Sequence, residues 1–154
     1  MSYWLMKTEP STFSIDDLAK APKSTTSWDG VRNFQARNML RDDMKRGDLV
    51  FLYYSSTDVP GIVGVMEITK EGYPDPTAFD RKHHHYDPES DADEPRWYMV
   101  DVKLKERFAR IITLAELREH ATKELKGMVL LRPGNRLSVT PVEAAHWKFI
   151  TSML

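Results

Sequence analysis

The segment WDGVRNFQARNML, residues 28 to 40, gathers side chains able to hold a flat polar ligand. Trp28 opens a turn instead of joining a periodic apolar pattern, and an indole so placed offers a stacking face to a base. Asn33 carries a carboxamide that both donates and accepts, as a base edge requires, and it equally suits the N-cap of the helix that follows. Arg37 and Arg41 succeed it at spacings of four, with Lys45 continuing the line, so these residues share one face of a helix near its anion-favouring start. Residues 32 to 46 hold five basic side chains against two acidic ones, a balance suited to phosphate, while residues 87 to 94 hold five acids and no base. Taken alone, the arginines are better explained as a solvated face.

Other chemistries fare less well. His83, His84 and His85 lie between Asp80 and Asp87 and invite a metal, because imidazole is the commonest metal ligand. Adjacent strand residues point to opposite faces and helical ligands prefer spacings of three or four, so the triplet is expected in a solvated loop with no metal. The chain has no cysteine, which removes disulfides, thiolate metal sites and cysteine nucleophiles. G-x-S-x-G, G-x-x-x-x-G-K-[ST] and G-x-G-x-x-G are all missing, so the usual hydrolase, P-loop and dinucleotide apparatus is lacking and no cofactor is expected. Asp29 or Asp75 remains available as a general base. Of the tryptophans, Trp147 reads as core and Trp4 as evenly balanced with core ahead.

The elements that must position these residues follow from pattern. Residues 3 to 7 read as an opening strand; Ser14 with Asp17 caps a short helix to residue 20; residues 33 to 45 read as helix. Residues 49 to 54 form a nearly continuous apolar run, buried on both faces as a strand, that pairs with the β-branched run 61 to 69, where Gly61 and Gly64 suggest a bulge or close backbone approach. Residues 73 to 95, rich in Pro, Asp and His, form a long loop of the functional kind. Residues 96 to 108 are the longest strand candidate. Thr113 with Glu116 caps a helix to 120, residues 136 to 139 form a short strand, and Thr140, Pro141 and Glu143 predict a second capped helix start. The sum is one α+β domain over residues 1–154. At 41% hydrophobic and 29% charged residues, with no apolar run of membrane-spanning length and no secretory signal pattern, a cytoplasmic protein without membrane contact is expected.

Seven motifs occur in order: YWLMKTEP at 3 to 10, WDGVRNFQARN at 28 to 38, GDLVFLYYSS at 47 to 56, PGIVGVMEI at 60 to 68, YPDPTAFD at 73 to 80, PRWYMVDV at 95 to 102 and RLSVTPV at 136 to 142. Together they resemble the EVE domain family over essentially the whole chain. The resemblance implies a PUA-like fold, a curved mixed β-sheet or pseudo-barrel with surrounding helices, and kinship with YTH domains. It further implies a non-catalytic module that reads a modified cytosine or adenine of DNA or RNA in an aromatic-lined pocket, which demands a flipped or unpaired base. The ligand residues so implied are Lys7, Trp28, Asn33, Tyr54, Ser55 and Trp97, with Arg32, Arg37 and Arg41 on phosphate. Family members commonly carry Tyr-His-Ser where this chain has Tyr53, Tyr54 and Ser55, so a phenol replaces an imidazole. Two rivals stand beside this reading: an enzyme acting on a modified nucleobase or nucleotide in the same cleft, and a small-metabolite-binding domain.

Overall fold

Strand β3, Leu49–Tyr54, divides the interior of the protein in two. Successive side chains of a strand point to opposite faces, so Val50 and Leu52 join one core with Met6, Leu40 and Met66, while Phe51 and Tyr53 join a second with Leu5, Ile62 and Ile112. The computed structural model describes residues 1–154. Its other strands are β1 (Tyr3–Thr8), β2 (Thr25–Ser27), β4 (Gly61–Pro74), β5 (Tyr98–Thr113) and β6 (Val139–Val142), and its helices are α1 (Ile15–Lys20), α2 (Phe34–Asn38), α3 (Leu114–Glu119) and α4 (Ala144–Thr151). The six strands form one open mixed sheet in the order β2-β5-β4-β3-β1-β6, with β1 and β3 parallel and every other pair antiparallel.

That sheet curls. Between β2 and β1 lie four inter-strand steps, which at about 4.8 Å each would separate them by roughly 19 Å in a flat sheet. Both nevertheless line one cavity. The curvature is built into the long pair β4 and β5, whose register shifts four times, and each irregularity bends and twists the ladder. Gly64 sits at one such shift because a Cβ there would lie 2.5 Å from the Glu106 carbonyl oxygen and 2.8 Å from Ile15. The second core is closed by α4, whose Trp147 stacks on Phe51 at 3.8 Å and on Tyr3 at 4.7 Å. Trp4 is also core: its Nε1 donates to the buried Asp48 carboxylate at 3.0 Å.

Caps that involve only neighbouring residues form as expected. Ser14 and Asp17 make a reciprocal capping box on α1, and Thr113 and Glu116 make another on α3. Two expectations need correction. Thr140 and Pro141 do not start a helix; they lie inside β6, an edge strand, where a residue without an N–H is tolerated. Helix α4 begins at Ala144, after Glu143, with no side-chain cap. The helix expected over 33 to 45 is shorter: α2 ends at Asn38 and continues as one wider turn, Met39–Asp43, closed by the Met44 N–H on the Met39 carbonyl at 2.9 Å. The wider turn takes Arg41 out of line with Asn33 and Arg37.

Candidate functional site

A cavity of about 720 Å³ opens between the end of β1, the edge strand β2 and the loop after β4. Lys7 and Thr8 come from β1 and Phe13 from the loop behind it; Ser27 ends β2, the Trp28–Gly30 turn forms the floor, and His83, His84 and His85 close the far side. Its size falls in the range of small-molecule sites. The polar groups around the indole, an ammonium, hydroxyls and the Asp29 carboxylate, can satisfy the hydrogen-bonding edge of a planar heterocycle.

The floor is held from below. Trp28 donates its backbone N–H to the Val100 carbonyl at 2.8 Å, and Phe13 meets the indole edge-on at 6.3 Å. Only 9% of Trp28 is exposed, so it is a wall and not a projecting platform. Gly30 adopts φ +77°, open to glycine, and a Cβ there would lie 2.3 Å from the His85 ring. Its N–H donates to Asp75 Oδ2 at 2.8 Å. Asp75 is fully buried and accepts also from Arg32 Nη1 at 3.0 Å, the Thr77 N–H at 2.9 Å and Thr77 Oγ1 at 2.6 Å. Burial alone would push this carboxyl up; the four donors outweigh it and hold the pKa below the ordinary range.

Arg32, expected on phosphate, is engaged within the protein. Its guanidinium donates to Asp75, to Thr77 and twice to the His85 carbonyl, at 2.8 and 3.2 Å, and so straps the Trp28 turn to the histidine loop. A group so engaged is a strut, and its charge is already paired with Asp75.

Of the remaining nominated residues, Lys7 and Trp28 line the cavity. Lys7 forms no salt bridge, and burial pushes its amine below the usual lysine range. Asn33 is the N-cap of α2, its Oδ1 accepting from the Ala36 N–H at 3.0 Å. The Tyr54 hydroxyl accepts from the Ile15 N–H at 2.9 Å, anchoring α1, and the Ser55 N–H donates to the Thr8 carbonyl at 2.9 Å. Trp97 lies beside the cavity in a smaller cleft of about 330 Å³ that shares His84 and His85 with it. There its Nε1 donates to Asp87 Oδ2 at 2.6 Å and its face stacks on Phe34 at 4.9 Å. Trp28, Tyr54 and Trp97 are thus not gathered around one point. Arg37 donates to the Arg96 carbonyl at 2.7 Å and Arg41 pairs with Asp42 at 2.8 Å, and neither lines the cavity. Asp75, one of the two candidate bases, is sealed beneath the turn, whereas Asp29 lines the cavity.

Sequence reasoning does not single out Phe13, which nothing local marks, whereas the length and composition of loop 73–95 flag the region of the histidines. The triplet was read as solvated on strand geometry, yet it occupies a turn in which the Tyr86 N–H meets the His83 carbonyl at 3.0 Å, and the rings converge with centroids 3.9 to 4.9 Å apart. Burial, then the neighbouring His84, pushes the His85 imidazolium down.

Comparison with known proteins places these features in a family. The model described as EVE domain matches residues 2–153. Thymocyte nuclear protein 1 of Homo sapiens is 46% identical over 167 residues, covering 99% of this chain and 73% of that protein. The crystal structure of human THYN1 protein in complex with 5-methylcytosine containing DNA superposes with a TM-score of 0.95 at 45% identity, over 99% of this chain and 97% of that one. A crystal structure from Pseudomonas syringae gives 0.92 at 41% identity, over 99% of both chains. The shared fold is PUA-like.

Proposed function

The chain belongs to the EVE domain family, and from that membership we propose that it is a non-catalytic nucleic-acid-binding module that reads a modified base, 5-methylcytosine in DNA being the first candidate. The observation that carries the reading is the Trp28 cavity, in a fold matched at a TM-score of 0.95 by a relative crystallised with 5-methylcytosine containing DNA. A flipped base would lie against the exposed strip of Trp28 and beside Phe13, with Lys7, Thr8 and Ser27 on its polar edge. Tyr54, Ser55 and Asn33 serve by holding the walls, and the adjoining cleft with Trp97 and Arg96 receives the neighbouring backbone. Arg37 keeps its Nη2 outside every protein hydrogen bond and offers charge to phosphate at longer range.

A base–aromatic contact is worth roughly 1–3 kcal/mol, a factor of about 5 to 150 for the whole contact, so a modification that improves part of it is expected to give several-fold discrimination. Anisotropy titrations with matched DNA and RNA oligonucleotides carrying cytosine, 5-methylcytosine, adenine or methylated adenine test it, with the modified strand expected to bind more tightly and the affinity to fall steeply with salt. Equal affinities across the panel defeat the proposal. Loss of the modified nucleoside on long incubation with the protein would instead establish the enzymatic rival.

A further inference from the structure

The histidine turn has chemistry that base reading leaves unused. Across His83, His84 and His85, the ring nitrogens that could serve as ligands lie within 4.8 Å of one another. A tetrahedral ion about 2.0–2.1 Å from each nitrogen needs nitrogens roughly 3.3 Å apart, which modest side-chain rotation of the exposed His84 toward the half-buried His83 and His85 supplies. The geometry points to a binding site for one imidazole-seeking divalent transition-metal ion, of the zinc and copper class, formed by His84 and His85 with His83 on the rim of the cavity.

Four features support it. First, His85 Nδ1 is buried without a hydrogen-bond partner, a state that costs free energy and that ligation relieves. Second, the rings are held together by the backbone: the His85 N–H donates to His83 Nδ1 at 3.0 Å, and the His85 carbonyl is clamped by Arg32. Third, Asp29 lines the same cavity, and its negative charge favours a cation there. Fourth, a donor set of imidazoles without thiolate suits zinc or copper and disfavours magnesium. The positive charges nearby are Lys7 in the cavity wall, Lys82 next to His83 in the chain, Arg96 in the adjoining cleft, paired with Asp87 and Glu89, and Arg32, paired with Asp75. His83 is the weakest ligand, because binding through Nε2 would place a proton on Nδ1 and forfeit the bond from His85. Bound metal would add positive charge at the cavity mouth, where a phosphate or base nitrogen could complete its shell. The metal site itself does not depend on the base-reading proposal.

Calorimetric titration of the full chain with Zn²⁺, in buffer free of chelators, tests the site. One equivalent should bind; His84→Ala, a change at an exposed ring, should weaken it by at least about tenfold; and His120→Ala, remote from the turn, should leave it unchanged. Cu²⁺ bound to the wild type should show nitrogen hyperfine splitting from at least two imidazoles, reduced in His84→Ala. Circular dichroism confirms the fold of each variant. No saturable binding at one equivalent, wild-type affinity in His84→Ala, or loss in His120→Ala would each overturn the assignment.

Discussion

Replacing Asp75 with asparagine should unfasten the floor of the cavity. Asp75 Oδ2 accepts from the Gly30 N–H and from Arg32 Nη1, whereas Oδ1 accepts from both Thr77 donors. Asparagine can keep the Thr77 pair through its one oxygen, but its NH2 then faces two donors and the guanidinium loses its counter-charge. Breaking a buried ion pair from one side costs about 3–5 kcal/mol. Arg32 retains its bonds to the His85 carbonyl and Thr77, which places the expected loss near the lower bound, about 3 kcal/mol. At about 2–4 °C per kcal/mol for a chain of this size, Tm should fall by roughly 6–12 °C. Thermal and urea unfolding at pH 7 measure it. Arg32→Leu should cost at least as much, since it strands a carboxylate with no solvent exposure, and the double variant should lose much less than the two singles added together. A loss below about 1 kcal/mol for Asp75→Asn, or simple additivity, would refute the view of Arg32 as a strut and return it to phosphate binding.

Three further outcomes follow from the same geometry. Because the folded-state pKa of Asp75 lies below the unfolded value of about 3.9, its contribution to stability is complete above that pH and is lost as pH falls through the lower folded value; Asp75→Asn should flatten acid unfolding in that window, and an unchanged acid limb would contradict it. Gly30→Ala should cost at least about 1–2 kcal/mol for the left-handed backbone alone and should also weaken oligonucleotide binding, because its methyl displaces the His85 ring; wild-type stability and affinity together would refute this. Tyr54→Phe should lose about 1 kcal/mol with the bond from the Ile15 N–H and leave base discrimination intact; a collapse of discrimination at unchanged stability would put Tyr54 in contact with the base.

What was legible in the sequence was local. The caps at Ser14 and Thr113 involve residues three apart, and the two-sided burial of residues 49 to 54 is written in an unbroken apolar run, so both were recoverable. A curved mixed sheet is expected from the count and order of elements, but the place of the bend is not, because it arises from register shifts between β4 and β5 that no single strand reveals. The partners of Arg32 and Tyr54 are not legible in the sequence, because Asp75 lies 43 residues from Arg32 and the acceptor role of Tyr54 depends on the docking of α1. Thr140 and Pro141 carry a genuine helix-start pattern, overridden by pairing of β6 with β1. Trp97 lines the cleft beside the cavity, with its Nε1 committed to Asp87 and its face to Phe34, partners that its strand position does not disclose. The histidine triplet stands out in the sequence, but the convergence of its rings requires a turn, which strand or helix spacing does not describe.

The central claim, that Trp28 contributes to telling a modified base from its parent, is tested by a thermodynamic cycle of four dissociation constants. Wild type and Trp28→Phe, a change that preserves most of the buried volume while shrinking the stacking surface, are each titrated with matched strands carrying 5-methylcytosine or cytosine. The account predicts several-fold preference for the modified strand in the wild type and a preference reduced toward unity in the variant, with both proteins folded by circular dichroism. An identical preference in the two proteins would contradict it.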